Sequence, residues 1–214
     1  MLKFILVITI LINVNLFGQT IVTDNDLIIN HGDITLYLTK DTCVLASKHV
    51  IKYCNFLKLD SERDNKWFQD KFKGKYNKTA YYKSGYDIGH LTPSHITSYD
   101  NVLNHNSFSL FNAAPQIPSL NRGKWASLEN DIEDTIAKYR KNAIIITGVI
   151  YDVKNKNYLG KSKIPIPIYY FKIVYINRKK YCWVGSNING QVIPVSLRKL
   201  NYMFKLNGMS LILK

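Results

Sequence analysis

The chain has 214 residues, which is long enough for one domain with its own core, and nothing in its length requires a second domain. It carries 29 Lys and Arg against 15 Asp and Glu, a formal net charge of +14 at pH 7. This excess favours polyanions such as nucleic acid, anionic glycans or membrane surfaces, although a Lys-rich composition that serves only solubility gives the same count. The three cysteines include no CxxC pair and no Cys/His cluster at zinc spacing, so a structural zinc site is not supported.

The first residues predict a signal peptide over residues 1–18. Lys3 precedes a short apolar run that breaks at Asn13, and Gly18 supplies a small residue at a cleavage point. The run is shorter than the roughly 20 residues that cross a bilayer, so a retained anchor is the weaker alternative. We therefore expect one domain over residues 19–214 that is secreted or periplasmic, with no stable membrane association after leader removal. The sequence leaves the oligomeric state open.

The first part of this domain predicts short strands, because runs of β-branched and aromatic residues are bounded by turn formers. These runs lie at 34–39, 43–46, 50–53 and 56–57. On this interpretation Cys43 and Cys54 belong to strands joined by a turn at residues 47–49, and a disulfide between them and buried thiols are both open. Residues 61–84 are basic and aromatic and predict a loop-rich segment, whose rings pack on the core or stack on nucleic-acid bases; we favour packing.

The second part predicts one long helix followed by strands. Trp125, Leu128, Ile132 and Ile136 recur at helical spacing, so a helix with a buried Trp125 is expected from near Ser119 to residues 141–142. The remaining predicted elements are a buried strand at 143–150, a loop at 152–163, a hairpin formed by 168–175 and 180–184 around a turn at 177–179, and a closing helix over 195–204.

A His inside a tight polar turn is the most informative local feature, in the stretch Tyr86-Asp87-Ile88-Gly89-His90. Asn121-Arg122-Gly123-Lys124-Trp125 follows about thirty residues later, and Glu129 lies eight residues after Asn121. An imidazole can take a proton from water near neutral pH, while an amide oxygen and water suit Mg²⁺. Eight residues are slightly over two helical turns, so Asn121 and Glu129 can share one helix face. We expect the helix start to lie beside the Asp87–His90 turn.

Each of these residues also has a purely structural interpretation. A solitary His beside Gly is often a turn residue, Asn121 can satisfy backbone amides at a helix start, and Glu129 can be a solvated helix position. Their joint placement favours metal-assisted hydrolysis. The other four histidines are expected in loops or in packing: His31, His49, His95 and His105.

Together with Asn112-Ala113-Ala114-Pro115-Gln116, these segments resemble the DNA/RNA non-specific endonucleases, the ββα-metal group. The resemblance extends to Arg63 upstream and to 144–148 and 170–172 downstream. It implies an α+β, ββα-metal nuclease fold with a mainly antiparallel central sheet and a metal-carrying helix packed against it. It also implies an enzyme that uses Mg²⁺, with Mn²⁺ as a substitute, to cleave DNA and RNA without strong sequence preference.

The resemblance assigns roles to six residues, and two neighbouring cations are predicted to bind substrate. His90 is the general base, and Asn121 is the single protein ligand of the metal, which stabilises charge on the phosphate and the leaving oxygen. Glu129 orders the waters of the metal, and Arg63 clamps the phosphate. By resemblance, Asp87 and Asn112 are supports that hold the His turn and nearby metal waters, and Asp87 is counted in the catalytic group. Asn112 is also predicted to bind substrate, as are the cations Arg122 and Lys124.

Two positions depart from the family pattern. Ile88 stands where an Arg is common, and loss of a charge-assisted contact costs on the order of a few kcal/mol unless Arg122, Lys124 or the basic run 71–83 replaces it. Glu133 stands where some members present an Arg, and an unpaired acid there repels phosphate. The alternative function is therefore a catalytically weakened, polyanion-binding relative of the same fold. A metal phosphodiesterase for small substrates is a second rival.

Overall fold

The computed structural model describes residues 27–39, 41–60, 62–70, 76–152 and 154–209. Its strands are β1 Leu27–His31, β2 Ile34–Leu38, β3 Val44–Ile51, β4 Asp87–His90, β5 Ala113–Gln116, β6 Ala143–Ile150, β7 Asn157–Leu159, β8 Ile164–Ile166, β9 Tyr169–Ile176, β10 Lys179–Ser186 and β11 Val192–Pro194. Its α-helices are α1 Tyr53–Phe56, α2 Asn101–Ser107, α3 Ala126–Tyr139 and α4 Leu197–Leu206. Short 3₁₀ turns lie at Lys78–Tyr81, His95–Thr97 and Leu110–Asn112, and a π-helical turn at Leu120–Trp125.

A seven-stranded sheet runs through the domain in the order β1, β2, β3, β6, β9, β10, β11, and every neighbouring pair is antiparallel. All eight residues of β6 are buried. The reason is that both faces of the sheet are covered, so the apolar run 143–150 does not alternate with polar residues. The predicted buried strand is confirmed.

The two faces carry different layers. One face packs against α3, whose Leu128, Ile132 and Ile136 belong to the larger core cluster. The opposite face packs against α4, where the Phe204 ring lies 5.3 Å from that of Phe171. β4 and β5 pair with each other on the α3 side, outside the main sheet. The predicted α+β arrangement, with a helix against a mainly antiparallel sheet, is confirmed.

The hairpin of β9 and β10 and the closing helix are also as predicted. The hairpin loop is two residues long, and both loop residues have positive φ, 48° for Asn177 and 61° for Arg178. Positive φ at both central positions matches the twist of the flanking strands. No helix of the described ranges is long and apolar enough to cross a membrane. The predicted leader at 1–18 lies outside the described residues.

Two predictions for the first part of the domain are wrong. Residues 47–49 do not form a turn, because β3 is continuous from Val44 to Ile51 and pairs with both β2 and β6. Its Ser47 and His49 are buried although they are polar, which conceals the strand in the sequence. Phe56 ends the short helix α1 instead of starting a strand. All three cysteines are thiols, so the disulfide alternative does not hold.

The long helix is shorter than predicted at both ends. Gly123 has non-helical angles, φ −109° and ψ −117°, and separates the π-helical turn from regular α3, which begins at Ala126. Helical spacing therefore does not relate Asn121 to Glu129 across this kink. α3 ends at Tyr139, since Arg140 adopts a left-handed conformation with φ 52°.

Candidate active site

Asp87, the first residue of β4, joins this strand to the π-helical turn. Its Oδ2 accepts a hydrogen bond from Asn121 Nδ2 at 2.9 Å and another from Arg122 Nε at 2.8 Å. Its Oδ1 accepts from Arg122 Nη2 at 2.5 Å. The expected contact between the helix start and residues 87–90 is confirmed, but these residues form a strand and not a turn.

The charge state of Asp87 follows from these contacts. Partial burial raises its pKa, but the hydrogen bonds from Arg122 and Asn121, together with the charge of Arg122, outweigh burial and hold the pKa below its ordinary value. Asp87 is thus a carboxylate at neutral pH and binds the nitrogen end of the Asn121 amide. The oxygen end of that amide turns away from Asp87, and an amide oxygen is a suitable ligand for a hard cation.

His90 ends β4 and is held by aromatic rings. Its ring centroid lies 4.3 Å from Trp67 and 5.0 Å from Phe108, the latter edge to face at 87°. Its Nε2 is buried and has no hydrogen-bond partner among the described residues. Burial first, and then the charge of Arg63, lower the pKa of His90 to about 3. The imidazole is therefore neutral at physiological pH, the form that can accept a proton.

The position before His90 requires a glycine. A Cβ at Gly89 would overlap the side chain of Gln116 and lie 2.6 Å from its Cβ. Gly89 pairs with Ala114 on β5, two positions along the register from the Asp87–Gln116 pair. The absence of a side chain at Gly89 leaves room for Gln116 to pack against β4.

Asn112 supports the backbone that follows His90. Its Nδ2 donates to the carbonyl oxygens of Thr92 and Ser107, both at 2.8 Å, and its Oδ1 accepts from Thr92 N at 3.0 Å. The residue is fully buried. Asn112 thus braces the segment after His90, and its side chain is not exposed in this structure. Its assignment to substrate binding stays a prediction.

Glu129 pairs with a lysine that the sequence analysis assigns no role. Lys172 lies in the middle of β9 with only 1% of its side chain exposed, and its Nζ donates to Glu129 Oε1 at 3.2 Å and to Thr147 Oγ1 at 2.9 Å. The same Nζ lies 5.0 Å from the ring centroid of Trp125, which is itself buried as predicted. Burial raises the pKa of Glu129, and Lys172 opposes this rise. A lone Lys inside an apolar strand is the signal that could have found this residue.

The other predicted cations lie in different surroundings. The Arg63 guanidinium carbon is 5.2 Å from the Phe108 ring centroid, so Arg63 and His90 contact the same ring. Lys124 Nζ donates to Gln191 Oε1 at 2.5 Å and so reaches towards the turn between β10 and β11. Arg122 is 72% exposed, and its charge is already paired with Asp87.

The sequence model of the DNA/RNA non-specific endonuclease family matches residues 16–208. The chain belongs to this family. It is 32% identical to the mitochondrial nuclease of Saccharomyces cerevisiae over 133 residues, which cover 54% of this chain and 40% of that protein. It is 29% identical to human mitochondrial endonuclease G over 105 residues, covering 45% of this chain and 35% of that protein. The aligned regions thus span less than half the length of these relatives.

A solved structure supports the same fold. A chain in the crystal structure of the EndoG/EndoGI complex superposes with a TM-score of 0.73 and 19% identity, covering 86% of this chain and 84% of that chain. The ββα unit of this non-specific endonuclease family member is formed by β4, β5 and the helical segment from Leu120 to Tyr139. The predicted ββα-metal nuclease fold is confirmed.

The structure shows the contacts of Ile88 and Glu133, the two positions that depart from the family pattern. Ile88 is partly buried and packs against the larger core cluster, and its apolar side chain supplies no charge at this position. Glu133 Oε2 lies 2.9 Å from His95 Nδ1 and is only 16% exposed. The acid that was expected to repel phosphate therefore has a side-chain partner.

The other three histidines are in packing contacts or paired with acids. His49 is buried, stacks on Tyr99 at a centroid distance of 6.5 Å, and has its pKa lowered to about 3 by burial and then by Lys172. His31 and His105 lie 3.1 Å and 2.7 Å from carboxylate oxygens of Asp70 and Asp64. In the described part of the chain, no group of three or more His, Cys, Asp and Glu could hold a metal ion.

Proposed function

We propose that this chain is a metal-dependent endonuclease that hydrolyses the phosphodiester bonds of DNA and RNA without strong sequence preference. The observation that carries the proposal is the hydrogen bond from Asn121 to Asp87 on the strand that ends at His90. It joins a neutral imidazole to an oriented amide in one rigid unit. Family membership and the nuclease names of the relatives support the same reaction class.

His90 acts as the general base in this proposal and accepts the proton of an attacking water. Its low pKa in the free protein makes it a weak base before substrate binds. A phosphodiester anion beside the ring would raise that pKa, because it favours the imidazolium form. Arg63 lies against the same Phe108 ring, and in this proposal its guanidinium binds the phosphate.

Asn121 would hold the metal through its amide oxygen, with the carboxylates of Asp87 and Glu129 reached through water. This ligand set fits Mg²⁺, which keeps most of its waters, and Mn²⁺ as a substitute. When bound, the cation supplies charge stabilisation at the phosphate and the leaving oxygen. The protein prepares for this by orienting the amide with Asp87 and by fixing Glu129 with Lys172.

The substrate strand would extend over a basic surface beside β4. We call it the Lys patch; its exposed members are Lys78, Lys83, Lys154, Lys156, Lys161 and Lys163, with Tyr82 at 77% and Tyr158 at 47% exposure. Its two segments are in contact, since Asn77 Nδ2 donates to Ser162 Oγ and Gly160 packs against Ala80. Lysines that neutralise phosphates and exposed rings that stack on bases are the usual components of a non-specific nucleic-acid surface.

The lysines of the Lys patch would also replace the positive charge that is missing at Ile88. Lys83 lies only four residues before Asp87, so the patch begins next to the site. Because Arg122 is paired with Asp87, the cations of the patch and Arg63 would carry most of the phosphate binding.

The location of the protein outside the cytoplasm is also a proposal, and it rests on the leader predicted at residues 1–18. The test is the mature N terminus of protein collected from periplasm and medium. Mass spectrometry should find cleavage after Gly18, and intact Met1 in the cytoplasm would contradict it. The same preparations should remain in the supernatant after membranes are sedimented.

The reaction is tested with purified mature protein on supercoiled plasmid and on RNA, with Mg²⁺, Mn²⁺ or EDTA. We expect metal-dependent degradation of both, with a loss of at least 100-fold in His90→Ala and Asn121→Ala. His105→Ala is the matched control, because His105 also contacts an aromatic ring, that of Phe68, but its side chain is half exposed and lies outside the candidate site; this variant should retain activity. Absence of cleavage by the wild-type protein would contradict the proposal.

The alternative is a polyanion-binding relative with a weakened site. It is favoured by Ile88, which presents no charge beside the site. In that case the wild-type protein would bind DNA in a salt-sensitive manner and His90→Ala would change nothing. Cleavage of a small phosphodiester that plasmid does not compete with would favour the second rival, a phosphodiesterase for small substrates.

A further inference from the structure

Lys172 belongs to a polar row that crosses the centre of the sheet. In the strand register it is opposite Thr147 of β6, and Thr147 is opposite Ser47 of β3. Directly opposed residues of antiparallel strands point to the same face, and the contact of Lys172 with Glu129 shows that this is the face covered by α3. The row is buried, with Ser47, Thr147 and Lys172 each at most 1% exposed.

The two ends of the row reach the two halves of the candidate site. Ser47 Oγ lies 2.5 Å from Thr92 Oγ1, and Thr92 follows His90 by two residues. At the other end Lys172 Nζ binds Glu129 on α3. The central strands therefore carry the segment after His90 and the helix with Glu129 on one rigid polar support.

We propose that Lys172 is a positioning residue for Glu129: its Nζ holds Oε1, which leaves Oε2 as the acceptor for the waters of a cation bound by Asn121. This inference rests on the proposed function. Thr147 and the Trp125 ring fix the Nζ from two further directions, at 2.9 Å and 5.0 Å. A carboxylate on one helical turn is thereby held in a single orientation by a rigid strand.

The charges around Glu129 explain why a positively charged side chain lies beside it. Glu129 is partly buried, with 21% of its side chain exposed. Burial and a second acid, Glu133, raise its pKa, while Lys172 lowers it. Without Lys172 this partly buried carboxylate would lose its principal counter-charge. By contrast, a buried ion pair adds little net stability over apolar residues of similar volume. The pair is therefore better explained by its effect on Glu129 than by its effect on folding.

The test compares Lys172→Met, Glu129→Gln and the double variant. Outer-shell partners of metal sites typically contribute 10- to 100-fold, so Lys172→Met should lower kcat on plasmid about 10- to 100-fold and leave KM nearly unchanged. If Lys172 acts through Glu129, the double variant should be no worse than Glu129→Gln alone. Lys172→Arg, which keeps the charge, should recover part of the loss.

A second measurement does not depend on activity. Calorimetric titration of Mn²⁺ into the substrate-free protein should give about 10-fold weaker binding in both Lys172→Met and Glu129→Gln. Lys48→Met is the matched control, because Lys48 is half-buried on β3 and pairs with Ile146 of the opposite, α4-side core. It should leave kcat and Mn²⁺ binding unchanged. Thermal melts establish that each variant is folded, and Lys172→Gln replaces Lys172→Met if the latter does not fold.

The outcomes separate the two proposals. Folded Lys172→Met with wild-type kcat and Mn²⁺ binding, or losses that multiply in the double variant, would overturn the positioning role. Wild-type protein that does not cleave, or cleaves equally with His90→Ala, would overturn the nuclease function whatever Lys172 does.

Discussion

Asn121 donates its amide hydrogen to Asp87 at 2.9 Å, and this contact decides which end of the amide faces the site. We expect Asp87→Ala to release both Asn121 and Arg122. Because a freely rotating amide binds a cation less well, Mn²⁺ affinity should fall about 10-fold or more and kcat by about 10- to 100-fold. Arg122→Gln keeps the Asp87–Asn121 bond and should cost less in both measurements. Equal losses in the two variants would show that Asp87 acts through Arg122 and not through Asn121.

The buried histidines make stability depend on pH. The pKa values of His49 and His90 fall from 6.5 to about 3 in the folded protein, so below pH 6.5 the unfolded chain binds more protons than the folded one. Stability is therefore complete above pH 6.5 and is lost progressively as the pH falls towards 3. His49→Phe removes one such group outside the site. Between pH 4 and 6 it should reduce the slope of unfolding free energy by ~1.4 kcal/mol per pH unit, measured by urea denaturation. An unchanged slope would contradict a neutral, buried His49.

The Lys patch should determine the salt dependence of DNA binding. In a His90→Ala background, which prevents cleavage, changing Lys78, Lys161 and Lys163 to Gln should weaken binding to duplexes of any sequence equally. Each lost phosphate contact lowers the slope of log K against log salt by about 0.9, so three should lower it by up to ~2.7. Three exposed lysines from other parts of the surface, Lys138, Lys179 and Lys205, are the matched control. If both triple variants lower the salt slope equally, the Lys patch contributes no more to DNA binding than other lysines that make up the net charge of +14.

Ile88 stands where the family resemblance predicts an Arg. Ile88→Arg should raise kcat/KM on plasmid about 10-fold, because a cation would then follow Asp87 on β4. The same change removes an apolar side chain from the core surface and should lower stability by ~1 kcal/mol or more. Ile88→Gln has the same stability cost without the charge and should not raise activity. A gain in Ile88→Gln, or none in Ile88→Arg, would contradict the electrostatic explanation.

Much of the fold could be predicted because local patterns and tertiary packing agree. β6 and the β9–β10 hairpin have strong β-branched and aromatic runs, and α3 has a clear apolar stripe. The prediction for β3 was wrong because its buried residues include Ser47 and His49, and polar residues at these positions resemble a turn in the sequence. The predicted start of the long helix was wrong because Gly123 leaves the helical conformation without any change in the residue pattern around it.

The sequence by itself determined the class of reaction. The residue types around His90 and Asn121, and their order along the chain, carry the family resemblance and supply an imidazole base and an amide oxygen. Only the tertiary structure decided which groups act together. Asp87 meets Asn121 across 34 positions, and Lys172 meets Glu129 across 43 positions. Such contacts depend on strand register and on how a helix packs on a sheet. The physical reason is that local propensity acts over a few residues, whereas an ion pair between a buried strand and a helix forms only once the sheet and the helix have packed together.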